Sequence, residues 1–125
     1  MKLIFILCGL ILAGAVAWFF IARPRADHHG NAFRGLAPVE LAQLVDKPGD
    51  FLKREVRIQG TLTRQCPSSG CWFFLKDAGG KELKVEMGDT TPRLPARLGK
   101  SAVVEGQLIQ YGKEFQFIGT AVEFH

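Results

Sequence analysis

Between Glu55 and Phe124 apolar residues recur at every second position, and the runs are punctuated by glycine. In Glu55 to Gln65, Val56, Ile58 and Leu62 share one face, while Arg57, Gln59, Thr61 and Thr63 share the other. Lys81 to Met87 repeats the pattern, with Leu83, Val85 and Met87 against Lys84 and Glu86. A period of two is that of a half-buried β-strand. The same reading makes strands of Trp72 to Lys76, Ser101 to Tyr111 and Glu114 to Phe124, where Phe115 and Phe117, then Val122 and Phe124, supply apolar positions. Turns are expected at Asp77-Ala78-Gly79-Gly80 and Tyr111-Gly112-Lys113. Gly60, Gly106 and Gly119 fall inside the three longest runs, as bends or bulges do in a tightly curled sheet.

Between the third and fourth strands the pattern breaks. Gly88 to Lys100 places Pro92, Pro95 and Gly99 around Leu94 and Leu98, which predicts a loop with one helical turn. Ahead of the strands, Pro38 to Asp46 predicts a short helix: Pro38 suits a first turn, Glu40 complements a positive helix end, and Leu41, Leu44 and Val45 recur at helical spacing. Lys47-Pro48-Gly49 ends it, and Phe51 and Leu52 are expected to pack beneath the sheet. A helix, five strands and an insertion after the third match an all-β, five-stranded OB-fold barrel, whose closure removes sheet edges and demands bends. Lys47-Pro48-Gly49-Asp50-Phe51 ahead of Val56-Arg57-Ile58-Gln59-Gly60, and Gly70-Cys71-Trp72 after the first strand, sharpen the match. On these residues the stretch from Pro38 to Phe124 resembles bacterial envelope OB-fold proteins of the tRNA anticodon-binding-like group. That group name describes shape, and the resemblance implies a fold and no activity.

The amino-terminal end obeys a different rule. Leu3 to Ala22 is free of charge, and twenty apolar residues at helical rise cover about 30 Å, the hydrocarbon thickness of a bilayer. Residues 1–22 therefore read as a single-span anchor, with Trp18 and Phe20 at an interfacial position. Lys2, the run Leu3 to Leu12 and Ala15-Val16-Ala17 also fit a signal peptide, although the apolar run continues past that cleavage pattern to Ile21. Cys8 follows Leu7 where a lipoprotein signal needs a small residue, so it reads as an apolar residue of the span. Residues 23–37 read as a linker broken by Pro24, and 38–125 as the barrel domain. A count of Arg23, Arg25 and Arg34 against Lys2 places the domain in the cytoplasm; the two-residue tail ahead of the span and the paired cysteines favour a single-pass inner-membrane protein with a periplasmic domain.

Charge narrows the partners. The chain carries +4 in all, but residues 31–125 hold 13 Lys and Arg against 11 Asp and Glu. So even a balance disfavours non-specific nucleic-acid binding, which needs a strong basic footprint. Nor does any Ser-His-acid set or phosphate-cradling glycine loop support catalysis. The expectation is a non-enzymatic module without a cofactor, bound to a membrane by its first helix and to an envelope protein or small ligand by its barrel.

The candidate site is Cys66-Pro-Ser-Ser-Gly-Cys71-Trp72, at the mouth of the first hairpin. Residues flanking such a loop face each other about 4.5 Å apart at a non-hydrogen-bonded pair, within reach of a disulfide. A structural Cys66–Cys71 disulfide is one reading, conditional on an oxidising compartment. A thiol or soft-metal site for copper(I) or zinc is another, with Met87 or a histidine such as His28 or His29 completing the shell. Four intervening residues are not the two of thioredoxin-like motifs, and two thiolates alone leave a zinc site incomplete. The third reading is ligand recognition, with Ser68 and Ser69 on the loop and Trp72 and Phe74 stacking on a base or sugar. One face of Trp72-Phe73-Phe74 is expected to be core.

Overall fold

The computed structural model describes residues 1–21, 26–67, 71–88 and 93–125. Six strands form one sheet: β1 Asp27–Gly30, β2 Glu55–Gln65, β3 Trp72–Lys76, β4 Glu82–Met87, β5 Ser101–Tyr111 and β6 Glu114–Phe124. Strands β2 to β6 close on themselves. β2 pairs with both β3 and β5, β4 joins β6 in parallel, and β5 and β6 form a long antiparallel ribbon. This is the five-stranded closed barrel of the OB fold.

The barrel core is the set of inward positions expected from period two, including Val56, Ile58, Leu62, Phe73, Leu75, Val85, Val104, Leu108, Phe117 and Val122. Leu94, from the irregular insertion, is buried with them. Helix α2, Leu41–Asp46, adds the buried Leu41 and Leu44, and Lys81 holds it through a 2.8 Å ion pair to Asp46. Phe51 and Leu52 pack partly buried against the same core.

Closure needs glycine at one crossing. Gly106 of β5 lies opposite Gly119 of β6, beside a bulge between Glu105 and Gly106. A Cβ at Gly106 would run into the Ile118 carbonyl, and one at Gly119 would lie 2.7 Å from the Met87 sulfur. The two strands therefore approach more closely than side chains permit.

The amino-terminal helix α1, Lys2–Ile21, is long and apolar enough to cross a membrane, and none of its residues is buried.

Three expectations are corrected. The short helix does not begin at Pro38. Residues 37–39 run extended beside β2, where Val39 N–H donates to the Arg57 carbonyl and Arg57 N–H to the Ala37 carbonyl, leaving α2 to start at Leu41. The sheet edge offers these backbone groups partners that a first helical turn leaves unmet. Nor are residues 27–36 of the expected linker a solvated tether. Asp27–Gly30 pairs with the end of β6, and the chain stays on the barrel through Leu36. In the loop before β5, the described residues 93–100 form a turn at Leu98–Gly99 and no helix; the rest of the expected helical turn, 89–92, lies outside the described residues.

Candidate ligand face and the hairpin at its root

Alternation divides Trp72-Phe73-Phe74 as expected. Phe73 is fully buried in the core, and Trp72 and Phe74 stand half-buried on the outer face. Their rings meet edge to face, with centroids 5.8 Å apart at 87°. This geometry suits the aromatic quadrupole and holds each ring against the other.

Cations frame the pair. The Arg64 guanidinium lies 3.8 Å from the Phe74 centroid, and the Lys84 ammonium lies 5.7 Å from that of Trp72. Arg64 is 61 % exposed, so it covers Phe74 from the solvent side. Glu82 anchors it, accepting from Arg64 Nη2 at 2.5 Å and from Thr63 Oγ1 at 3.0 Å. The Arg64 hydrogen bond holds the Glu82 carboxyl below the usual carboxylate range. The face is thus aromatic with interleaved charges of both signs.

Arg64 reaches this position because of a bulge. In the first part of the β2–β3 ladder Thr61 faces Lys76 and Leu62 faces Leu75; past the bulge Arg64 faces Phe74 and Gln65 faces Phe73. Continued without it, the first register would set Cys66 against Cys71. The one-residue shift sets Cys66 against Trp72 instead, and Cys66 N–H donates to the Trp72 carbonyl at 3.0 Å. The sequence expectation of two cysteines directly opposed is corrected in that respect. Cys71 continues the β3–β4 ladder, its carbonyl accepting from Met87 N–H at 2.9 Å. Ser68 and Ser69 lie outside the described residues, as does Gly70 of Gly-Cys-Trp. At the hairpin root, Gln65 uses both ends of its amide: Nε2 donates to the Pro95 carbonyl at 2.8 Å, and Oε1 accepts from Arg97 N–H at 2.9 Å.

The soft-metal candidates are placed differently. Met87 is buried, its sulfur turned onto Gly119. His28 and His29 are successive residues of β1 and have local partners. His28 Nε2 donates to the Asn31 carbonyl at 2.6 Å, with Nδ1 3.4 Å from Glu123; His29 Nε2 lies 2.8 Å from Asp27. Among the described residues no three His, Cys, Asp or Glu side chains are grouped to hold a metal ion.

The residue that sequence reasoning missed is Glu105. It is 0 % exposed, although it is charged and lies among strand residues. Its carboxylate accepts from Arg34 N–H at 2.7 Å, Leu36 N–H at 3.0 Å, and Arg57 Nη2 and Nε at 2.8 and 3.3 Å. Burial alone would raise its pKa; these donors outweigh that and hold it below the ordinary value. Arg57 in turn stacks over Phe33, 4.8 Å from the ring centroid. One buried carboxylate thereby pins residues 33–36 to the barrel. No local signal could reveal it, since its backbone partners lie 71 and 69 residues earlier.

A separate open groove of about 960 Å³ runs between residues 38–41, the middle of β2 and the β3–β4 turn. It has no aromatic lining.

No protein-family model and no curated sequence relative matches the chain. Among solved structures, one described as an aspartyl-tRNA synthetase from Leishmania major Friedlin superposes with a TM-score of 0.57 at 10 % identity, over 75 % of this chain. The chain spans about a fifth (21 %) of that protein's length. At this identity the likeness is one of fold.

Proposed function

We propose that this chain is a non-catalytic binding module of the bacterial envelope, held at the inner membrane by α1 with its barrel in the periplasm. Its ligand face is the outer surface of β3 and β4, where Trp72 and Phe74 stand between Arg64 and Lys84. The observation that carries the reading is this half-exposed aromatic pair, framed by cations and set on a rigid barrel. Rings of this kind supply contact area at low entropic cost, and aromatic and arginine side chains dominate binding hot spots. The mixed charge of Arg64, Lys84, Glu82 and Glu86 suits a protein segment better than a polyanion. In this reading a Cys66–Cys71 disulfide, formed in an oxidising compartment, shapes the loop at the edge of the face.

The test is cross-linking in intact cells from a photoreactive residue placed at Phe74, with Tyr111 as the exposed control. A discrete protein adduct at 74 that is absent at 111 is expected. Equal or no adducts at the two positions contradict the reading.

A second reading, single-stranded nucleic-acid binding, draws on the same stacking surface. A low-salt gel shift distinguishes it: micromolar binding that disappears in Trp72→Ala would favour nucleic acid over protein.

A further inference from the structure

The loop before β5 ends in an exposed apolar tip. Leu98 is 61 % exposed at a turn closed by Lys100 N–H donating to the Arg97 carbonyl at 3.1 Å. Gly99 takes a φ of +80°, as such a turn requires. The tip is braced: Gly99 N–H donates to the Leu62 carbonyl, and Leu62 N–H donates to the Lys100 carbonyl, both at 2.9 Å. Among the described residues Leu98 is not part of the buried core.

One exposed leucine alone carries no meaning. Its surroundings give it one. Exposed Arg93 and Lys100 and half-exposed Arg97 flank it in the chain, and residues 93–100 contain no acid. Arg97 Nε also donates to Asp27 Oδ2 at 2.6 Å, joining the turn to the first residue of β1. Asp27 follows Ile21, the last residue of α1, by six Cα–Cα steps, a reach of at most about 22 Å. Among the described residues the other exposed large apolar residue of the barrel, Tyr111, closes the opposite end of the 11-residue β5, about 33 Å from Ser101 along the strand.

We infer that the Arg97–Lys100 turn docks on the anionic phospholipid surface of the bilayer that α1 spans, with Leu98 entering the interface, Arg93 and Lys100 meeting headgroup phosphates, and Arg97 bracing the turn through Asp27. The inference rests on the membrane-anchor reading of α1. Apolar residues ringed by basic ones bind such interfaces, the cations by attraction to anionic lipid and the apolar tip by burial. A second contact besides the anchor fixes the barrel's orientation on the bilayer, with the hairpin root at Gln65 lying against the same loop.

The test uses the full chain in bilayers of phosphatidylcholine with or without phosphatidylglycerol, carrying a photoreactive residue at 98 or at 111. An alkaline carbonate wash first separates anchored from peripheral chain. Lipid adducts are expected at 98 well above those at 111 and are expected to rise with phosphatidylglycerol. Lys100→Gln should lower the 98 adduct by about fivefold, the effect of one cation near an anionic surface. Equal lipid adducts at 98 and 111 in chain that withstands the wash overturn the docking and leave the anchor standing. Chain that washes off overturns the anchor reading and the docking with it.

Discussion

Two stretches of charged and aromatic residues lie outside the barrel core, and they treat their charges in opposite ways. Beneath the strap of residues 26–37, charge is buried. Glu105 is fully buried under it, its carboxylate accepting from the strap's Arg34 and Leu36 N–H groups and from Arg57. On the Trp72–Phe74 face, charge is turned outward. Arg64 is mostly exposed, and the rings beneath it are only half-buried. A satisfied, buried network rigidifies what it holds, whereas exposed cation–aromatic contacts are worth little to folding and are available to a partner. The strap is therefore fixed to the barrel, and in the proposed reading the face is left for binding.

The comparison is broken most severely at Glu105. Glu105→Gln removes the charge while keeping the shape, and turns an amide NH2 toward donors that need an acceptor. A loss of about 2–4 kcal/mol of unfolding free energy in denaturant titration is expected, because a buried charged group loses its partners. A loss under about 0.5 kcal/mol, the scale of an ordinary surface change, would remove the strap from the account.

The Cys66–Cys71 pair comes next. If it is oxidised in the exported protein, reduction costs about 2 kcal/mol by the loop-closure argument for so short a loop. Thiol labelling of non-reduced, unfolded protein checks the premise directly, and two labelled cysteines beyond Cys8 would contradict it.

Acid titration sharpens the comparison through the sign of a shift. The folded pKa of Glu105 is depressed, so its contribution to stability is present above its ordinary value near 4.5 and is lost as pH falls through the folded value. Stability followed by circular dichroism should decline below that point on this account, and the decline should be shallower in Glu105→Gln. Asp27, held down chiefly by its hydrogen bond from Arg97, adds to the loss in the same direction at lower pH.

The smallest stability change is expected on the face. Trp72→Ala should cost about 1 kcal/mol or less, since the ring is half-exposed and its cation contact is worth about that much. The prediction is low stability cost with a large binding cost, and a mutant that unfolds would place Trp72 in the core instead.

The difference between the two regions also explains what could be read before the structure. Glu55–Gln65 and Ser101–Tyr111 announce themselves, because every second side chain is buried by the barrel and the pattern is local. The outward placing of Trp72 and Phe74 around an inward Phe73 follows from the same alternation. Asp27-His28-His29-Gly30 has no apolar period, and it becomes a strand only because β6 offers an edge to pair with. Val104 is buried by the alternation, whereas Glu105, the next residue, is buried beside a bulge and under donors from distant residues. The bulge between Leu62 and Arg64, which turns Arg64 onto Phe74 and Cys66 onto Trp72, has no glycine to mark it. Periodicity is legible in a sequence, while register shifts and long-range carboxylate clamps arise from tertiary packing.

The most direct measurement of the central claim is the cross-link yield from position 74 in intact cells, compared between otherwise wild-type chain and Trp72→Ala at matched protein level. The account predicts that Trp72→Ala lowers the adduct at least about tenfold, as loss of a hot-spot aromatic does, while the chain remains folded. An undiminished adduct from a folded Trp72→Ala chain would contradict it.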